Sequence, residues 1–481
     1  MLTFNKAMPE EAGIPSECII RFIERLEKRQ IPMHSFLIMR RDLLIAEGYY
    51  SPCSPESLHR MFSITKSLTA LAVGLLADEG RISLEDPICQ YFPEKLPPDP
   101  HPWIMAMTIR DMLMMRTCHA STTYKLDMDS DWVESFFTTA PTHPSGRIFH
   151  YDTSSAHTLC ALVEKLTGQD MLDYLKDKLA PLGLSEASYL LKDPFGVSIG
   201  GSGLVATSLD LLKIGYFLSH RGQIEGRKLL SPSYIDSAVS CLSATCVTAP
   251  LPSEAQGYGF QIWRNERDGF VCYGMGGQLI IVLPAHELIC VTTADTQGIG
   301  GGNQQIYDAL YEEILPFLSS EALPAAPEKD RTLKERLASL SMKPLCGAYD
   351  SPLTEIVTGK CYHPADLSLG FESIALSFTK NPDSQNTVGT LSFSLNGINQ
   401  SLSFGLGHIV WTKFPGYELN CAASAAWLSD NTLYIRADII DSYVGSVHFQ
   451  LAFGEDDLTV FMRKKEESLF KEYDGHLYCT I

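Results

Sequence analysis

The chain has 481 residues, of which 45% are hydrophobic and 20% are charged, so it can bury a core and is not a disordered protein. Acidic residues outnumber basic residues by 57 to 38, and the formal net charge is -19. This balance argues against a nucleic-acid-binding protein, because such proteins need a concentrated basic face to displace counterions from phosphates.

The cysteines and the N-terminal residues indicate the cellular compartment that we expect for the protein. The 13 cysteines are scattered singly, with no CxxC pair and no zinc-ligand spacing, so we expect reduced thiols and no metal site. The first residues contain no apolar leader, and no stretch approaches the ~18–20 apolar residues that cross a bilayer. We therefore expect a soluble, cytoplasmic protein that does not contact membranes.

The first third of the chain predicts a pair of strands followed by helices. Ser35–Met39 and Leu43–Tyr50 are short apolar runs on either side of a polar turn, which is typical of paired strands. Ser63–Asp78 carries leucines at helical spacing. Capping-box patterns and amphipathic spacing predict further helices that begin at Thr108, extend over Ser155–Thr167, and begin at Thr207.

Strand patterns return after the helical middle of the chain. They cover Gly259–Trp263, Phe270–Tyr273, Gln278–Leu283 and Leu288–Thr293. Strands at both ends of a helical region predict one sheet that is built from distant parts of the chain. The fold class predicted for this part is therefore α+β.

The C-terminal part of the chain has a different character. Residues 321–340 combine a Pro/Ala-rich piece with a charged helical run, which predicts a linker after a first domain at 1–320. From residue 341 to residue 481, short segments alternate between apolar and polar residues as strands do. This pattern predicts a separate all-β domain, a barrel or a sandwich.

The strongest chemical pattern is Ser63-Ile64-Thr65-Lys66 at the start of an apolar helix. Residues three apart share a helix face, so the lysine amine can reach the serine hydroxyl. A serine needs a neighbouring base to act as a nucleophile, and a lysine can serve if its surroundings depress its pKa. The same SxxK spacing occurs at Ser377 and at Ser468, in a strand-like stretch and in a charged segment, where it predicts no chemistry.

The sequence around Ser63, MFSITKSLTALAVGLLADEG, resembles the serine β-lactamase and penicillin-binding-protein superfamily. The likeness is greatest to the class C-like esterase and D-aminopeptidase branch, and the nylon-oligomer hydrolases are also similar. Three later stretches continue the resemblance in order: PSGRIFHYDT around Tyr151, GGSGL at residue 200, and YGMGGQ at residue 273. It covers roughly residues 8–315 and implies a β-lactamase/transpeptidase-like fold, an antiparallel sheet flanked by helices.

The resemblance also implies roles for individual residues. Ser63 would be the acylated nucleophile, Lys66 its proton acceptor, and Tyr151 the group that shares the proton and protonates the leaving group. The backbone N–H groups of Ser63 and Met275 would form the oxyanion hole. Substrate-binding positions would be Thr153, Gly276 and Gly277, and no metal or organic cofactor is implied.

Two departures from the family pattern bear on the substrate. Thr153 replaces the asparagine that usually ends the second motif, and no cation precedes the glycines of the third motif. In the family that cation grips a substrate carboxylate. Its loss argues against efficient β-lactamase or D,D-carboxypeptidase action and favours an uncharged or non-carboxylate substrate.

Other readings of these residues are weaker. Asp152 and Asp295 each open an aspartic-protease-like triplet, but the second triplet lacks the usual glycine and the helical half disagrees with that fold. No GxSxG elbow is present. His119 and His150 could line the pocket, whereas His157 in a helix is better interpreted as packing.

Taken together, these residues predict a serine hydrolase that cleaves an ester or amide bond of a small molecule or short peptide through an acyl-enzyme on Ser63. An acyltransferase that uses the same acyl-enzyme is an alternative, and so is a catalytically silent penicillin-binding-like protein. The sequence predicts no oligomeric state.

Overall fold

The chain folds into two units, which a computed structural model describes over residues 1–249, 251–380 and 386–481. The first unit comprises Met1–Tyr49, Ser54–Thr296 and Gly301–Leu340. The second unit comprises Tyr50–Cys53, Gln297–Gly300 and Ser341–Ile481.

Twelve strands and eleven α-helices of the described residues belong to the first unit, and 3-10 turns connect several of them. The strands are β1 (Asn5–Lys6), β2 (Met33–Arg40), β3 (Leu43–Tyr49), β4 (His59–Arg60), β5 (Tyr189–Leu190), β6 (Leu204–Ala206), β7 (Gln223–Ile224), β8 (Arg227–Lys228), β9 (Trp263–Arg264), β10 (Phe270–Gly274), β11 (Gln278–Leu283) and β12 (Leu288–Ala294). The helices are α1 (Ser16–Lys28), α2 (Ile64–Asp78), α3 (Pro102–Met105), α4 (Ile109–Leu113), α5 (Trp132–Thr138), α6 (Thr153–Thr167), α7 (Met171–Lys178), α8 (Ser208–Ser219), α9 (Pro232–Ala238), α10 (Gly302–Glu313) and α11 (Pro327–Ala338). Within the described ranges, no helix has the length and apolarity that crossing a membrane requires.

Strands from both ends of the first unit form one seven-stranded sheet, as the sequence predicts. Its order is β1-β3-β2-β12-β11-β10-β9. The early and the late strands of this unit meet where β2 pairs antiparallel with β12, in the register that sets Ile38 opposite Cys290. The predicted α+β architecture is confirmed.

One predicted strand of this sheet, Gly259–Trp263, is wrong. Gln261 has a φ of 58°, in the left-handed region, and the Gly259 N–H donates to the Ile262 carbonyl at 2.8 Å across a tight turn. The Phe260 N–H turns away to the carbonyl of Ala238. Only Trp263 continues into a strand, the short β9, because the turn uses the hydrogen bonds that a ladder would need.

Helices cover both faces of the sheet. On one face α8 packs so closely on β11 and β12 that a Cβ at Gly215 would lie 2.7 Å from Ile280 and 3.0 Å from Ile289. On the other face Phe22 of α1 meets Phe36 of β2 edge to ring, with centroids 5.5 Å apart. The sheet therefore forms the middle of a three-layer arrangement.

Helix α2 is the central helix of the first unit. Every residue from Ile64 to Leu76 is buried, because α6, α7 and β10 pack around it. A helix that is apolar on all sides belongs in a core. Lys66 is the residue of α2 that carries a charged group into this core.

The segment predicted to be a linker, residues 321–340, lies in the first unit and contains helix α11. Leu333 of α11 is 1% exposed. Lys329 and Arg336 pair with Glu17 and Glu27 of α1 at 2.5 Å and 2.6 Å. The charged run therefore anchors this helix to α1.

The second unit is a closed β-barrel with one short helix, α12 (Leu353–Val357). Its strands are β13 (Cys361–Pro364), β14 (Phe371–Lys380), β15 (Thr387–Leu395), β16 (Ile398–Leu406), β17 (Val410–Phe414), β18 (Leu419–Ser429), β19 (Thr432–Ile440), β20 (Val444–Phe453), β21 (Asp457–Lys465) and β22 (Gly475–Thr480). They follow the order β16-β15-β14-β13-β22-β21-β20-β19-β18-β17, and a parallel pairing of β16 with β18 closes the ring. Buried aromatic side chains such as Phe449 and Tyr473, with rings 5.8 Å apart, fill its interior.

Candidate active site

Ser63 lies immediately before the first residue of α2, after a backbone turn of unusual conformation. Phe62 has a φ of 45°, in the left-handed region that bulky side chains rarely adopt. Thr65 holds the turn, because its hydroxyl donates to the Phe62 carbonyl at 2.6 Å and accepts from the Leu204 N–H at 2.9 Å. The backbone from which the Ser63 side chain projects is therefore well supported.

Lys66 stands one helical turn after Ser63 and contacts it directly. Its side chain is 1% exposed. The Lys66 Nζ donates to Ser63 Oγ at 2.9 Å and to the Gly201 carbonyl at 2.6 Å. The glycine-rich turn of the sequence thus supplies the second acceptor that holds the amine against the serine.

Tyr151 joins this pair from a distant part of the chain. The Lys66 Nζ lies 4.8 Å from the centroid of the Tyr151 ring, and the Tyr151 hydroxyl hydrogen-bonds with Ser63. Burial raises the pKa of the Tyr151 phenol, the hydrogen bond with Ser63 lowers it, and the nearby Glu254 carboxylate raises it further. The structure therefore brings Ser63, Lys66 and Tyr151 together.

Tyr151 is held in place by the start of α6. Asp152 caps this helix, since its carboxylate accepts from the Ser154 N–H at 2.9 Å. The His150 N–H donates to the Met115 carbonyl at 2.8 Å, which fixes the segment on the other side of Tyr151. Asp152 is fully buried, and burial raises the pKa of its carboxyl to about 6 despite its hydrogen bonds and the attraction of Lys66.

Thr153, which the resemblance places in the substrate site, packs against Gly201. A Cβ on Gly201 would collide with the Thr153 methyl group, so the two residues are in close contact. The Thr153 N–H donates to the Thr122 hydroxyl at 3.0 Å. In this position Thr153 supports the Gly201 carbonyl that holds the lysine amine.

The third motif approaches the nucleophile through the end of β10. A Cβ on Gly274 would collide with the Met61 carbonyl oxygen, two residues before Ser63. Glycine at this position therefore permits the close approach of the two backbones. The residues that follow form the turn between β10 and β11.

Met275, Gly276 and Gly277 lie in this turn. Gly276 and Gly277 have φ values of 82° and 92°, a conformation that favours glycine. Their carbonyls accept from the Thr296 N–H at 3.0 Å and from the Thr292 hydroxyl at 2.8 Å. These bonds hold the turn rigidly, and Met275 is the partly exposed residue of the three.

Aromatic rings and a buried acid complete the surroundings of Tyr151. Its ring stacks on Trp263 with centroids 5.6 Å apart, and Trp263 lies 6.2 Å from Tyr273 of β10. Glu254 is 2% exposed, and burial raises the pKa of its carboxyl to about 7 although a hydrogen bond with Tyr273 lowers it. Sequence reasoning missed Glu254, because it lies in a loop without periodicity or motif.

His157 and His119 make buried contacts within the fold. His157 pairs with Asp193 at 3.1 Å, and both side chains are completely buried. His119 bonds to the Phe136 carbonyl at 2.9 Å, and burial lowers its pKa to about 4. In the parts of the chain that the structure describes, no cluster of three His, Cys, Asp or Glu side chains is arranged to hold a metal ion.

Comparisons with known proteins find similar sequences. The sequence profile of the family described as Beta-lactamase matches residues 19–310. The 6-aminohexanoate-dimer hydrolase of Paenarthrobacter ureafaciens is 25% identical over 313 residues, which are 60% of this chain and 79% of that protein.

Solved structures of low sequence identity share the fold. The octameric penicillin-binding protein homologue from Pyrococcus abyssi superposes with a TM-score of 0.50 at 16% identity, over 96% of this chain and 99% of its own. A penicillin-binding protein homologue from Caulobacter crescentus gives a TM-score of 0.50 at 18% identity, over 65% of this chain and 99% of its own.

Proposed function

The chain belongs to the beta-lactamase family, and from this premise we propose that it is a serine hydrolase which cleaves an ester or amide bond through an acyl-enzyme on Ser63. The observation that carries the proposal is the contact of 2.9 Å between Lys66 Nζ and Ser63 Oγ, in a buried site that Tyr151 also reaches. A serine hydroxyl next to an amine base is the arrangement that nucleophilic catalysis needs.

The first half of the reaction forms the acyl-enzyme. The neutral amine of Lys66 accepts the Ser63 proton while Oγ attacks the carbonyl carbon of the substrate. The carbonyl oxygen becomes an oxyanion, which the N–H groups of Ser63 and Met275 stabilise. The bond to the leaving group then breaks, the leaving group takes the proton of the Tyr151 hydroxyl, and Lys66 returns a proton to Tyr151.

The second half regenerates the enzyme. A water molecule gives its proton to the Lys66–Tyr151 pair and attacks the acyl carbon. The bond between the acyl group and Ser63 Oγ breaks, Oγ regains a proton, and the carboxylic acid leaves. One water molecule is consumed for each bond that is cleaved.

The substrate class follows from the third motif and from the relatives. No lysine or histidine precedes Met275 in the third motif, where a cation would bind a substrate carboxylate. The relative from Paenarthrobacter ureafaciens is named for hydrolysis of an aminohexanoate dimer. We propose a small-molecule or short-peptide ester or amide as the substrate, and slow turnover of penicillins.

The test is covalent labelling combined with a substrate panel. A fluorophosphonate should add one adduct to the protein by intact-mass spectrometry, and peptide mapping should locate it on Ser63. Ser63→Ala should abolish the adduct and reduce hydrolysis of 4-nitrophenyl esters at least ~10³-fold. Labelling elsewhere, or full ester hydrolysis by Ser63→Ala, would refute the proposal.

A further inference from the structure

Glu254 is a buried acid that the proposed mechanism does not use. It ends the 3-10 turn Pro252–Glu254, which packs against β9, the strand of Trp263, and against α10. Its side chain is 2% exposed, and its Oε1 atom has no hydrogen-bond partner among the residues the structure describes. Burying a carboxylate with an unsatisfied oxygen carries a free-energy cost. A group retained at such a cost beside an active site is a candidate for a functional role.

The electrostatic influence of Glu254 reaches the active site. Three phenols lie within reach of its charge: Tyr273 from β10, Tyr307 from α10, and Tyr151. At each of them the charge of Glu254 contributes to raising the pKa of the phenol. The ionised carboxyl therefore penalises negative charge at the hydroxyl of Tyr151 and at that of Tyr273.

A substrate group that lies against these two hydroxyls experiences the same field. A carboxylate there would be repelled by Glu254 through a medium of low effective dielectric, where charges interact strongly. The Trp263 ring lies 5.6 Å from the Tyr151 ring and 6.2 Å from the Tyr273 ring. The faces of these aromatic rings repel anions and attract cations.

We propose that Glu254 is a specificity-determining residue that excludes anionic substrates, so that the part of the substrate next to Tyr273 is neutral or cationic. This inference rests on the proposed function, since it concerns the same site. The exclusion of anionic substrates would otherwise be attributed to the missing third-motif cation alone. The proposal assigns part of it to the buried charge of Glu254. Rejection by a repulsive charge is a common route to specificity.

The test compares three 4-nitrophenyl esters of similar size, whose acyl parts end in a methyl group, a carboxylate or a trimethylammonium group. The measured quantity is the ratio of kcat/KM for each charged ester to that for the neutral ester, within one variant. Wild type should disfavour the anionic ester. Glu254→Gln should raise the anionic ratio by roughly tenfold and lower the cationic ratio, because one negative charge is removed.

The opposite movement of the two ratios separates an electrostatic role from a steric one, which would move both in the same direction. Glu335→Gln, an exposed position on α11, is the matched control for the change in net charge. A second ester series with the charge on the alcohol part covers the other side of the scissile bond. Unchanged ratios in both series would overturn the proposal.

The pH dependence of wild type is a second measurement that needs no variant. Because the Glu254 carboxyl has a pKa of about 7, it ionises across neutrality. The anionic ratio should therefore fall between about pH 5.5 and about pH 8.5, and the cationic ratio should rise. Asp152, with a pKa of about 6, also titrates in this range, so the part due to Glu254 is the part that Glu254→Gln removes.

Tyr273→Phe provides a further check. The hydrogen bond from Tyr273 lowers the pKa of Glu254, so its loss should move the inflection of both ratios to higher pH. A flat wild-type ratio with active hydrolysis of the neutral ester would overturn charge selection and leave the hydrolase intact. Absence of hydrolysis of all esters, and of any adduct on Ser63, would instead overturn the proposed function.

Discussion

Tyr151 is the residue on which the proposed proton transfers depend. Its hydroxyl interacts with Ser63, its ring faces Lys66, and burial keeps the phenol protonated at neutral pH by raising its pKa. A protonated phenol suits the donor of a proton to a leaving group, and the adjacent lysine can restore that proton.

Replacement of Tyr151 by phenylalanine should slow the reaction without unfolding the protein. The change removes one oxygen and leaves the ring stacked on Trp263. We expect kcat for a 4-nitrophenyl ester or an amide to fall by about 10²–10⁴-fold, the usual contribution of a positioned proton donor. Tyr216→Phe on α8 is the control, since that ring stacks on His220 instead. A rate within about threefold of wild type would contradict the assignment.

The sequence alone predicts part of this site and misses part of it. Ser63 and Lys66 are predictable because their spacing on a helix places them on one face, and Tyr151 follows from its motif. Glu254 is not predictable, since its role depends on which side chains fold around a loop. The same holds for the Gly201 carbonyl, whose bond to Lys66 involves backbone atoms that carry no side-chain signal.

At the scale of elements, α2 depends on glycine for its packing. A Cβ on Gly74 would lie 2.5 Å from a ring carbon of Tyr234, and the Tyr234 hydroxyl is itself fixed by a bond of 2.6 Å to the Ala70 carbonyl. The ring therefore cannot withdraw without breaking that bond. This contact explains a glycine in the middle of an otherwise strong helix.

Gly74→Ala should destabilise the protein, although alanine normally favours a helix over glycine by roughly 0.5–1 kcal/mol. We expect the free energy of unfolding to fall by about 1–3 kcal/mol because of overpacking against Tyr234. Urea denaturation followed by circular dichroism measures the change. Ala77→Gly, later in the same helix, measures how much an exchange between alanine and glycine alone changes the free energy of unfolding. A stabilised Gly74→Ala variant would show that the ring moves aside.

The strong strands and helices are predictable from local pattern, whereas a tight turn and a set of ion pairs are not. Periodicity predicts β2, β3, β11 and α2 within a few residues of their observed ends. The strand predicted at Gly259–Trp263 fails because Gln261 adopts a positive φ, and no composition signal marks that turn. The ion pairs of α11 with α1 join sequence-distant residues, so no local pattern predicts them.

At the scale of the whole molecule, two buried acids affect stability in the opposite direction to ordinary carboxylates. The Glu254 carboxyl has a pKa of about 7, above its ordinary 4.5, and that of Asp152 is about 6. The folded chain binds these protons more tightly than the unfolded chain. Their contribution to stability is therefore full below the unfolded pKa and is lost as pH rises through the folded pKa.

Glu254→Gln removes the free-energy cost of ionising this buried carboxyl. The gain in the free energy of unfolding should therefore depend on pH. The difference between a pKa of 4.5 and one of about 7 corresponds to roughly 3 kcal/mol. The free energy of unfolding of Glu254→Gln relative to wild type should increase by up to that amount between about pH 5 and about pH 8. Chemical denaturation at a series of pH values measures this difference, in which Asp152 cancels. A difference that does not change with pH would contradict the assignment.

The shape of the main sheet has a consequence for crowded solutions. Its outermost strands, β1 and β9, are only two residues long, so each exposes few unpaired backbone groups at its margin. Fibrils grow when one chain offers another a long, flat border on which to add a strand. On the side of β1, helix α11 packs on β3 and covers part of the border that β1 leaves unpaired. The net charge of -19 keeps neighbouring copies apart. The native fold is thereby protected against stacking edge to edge.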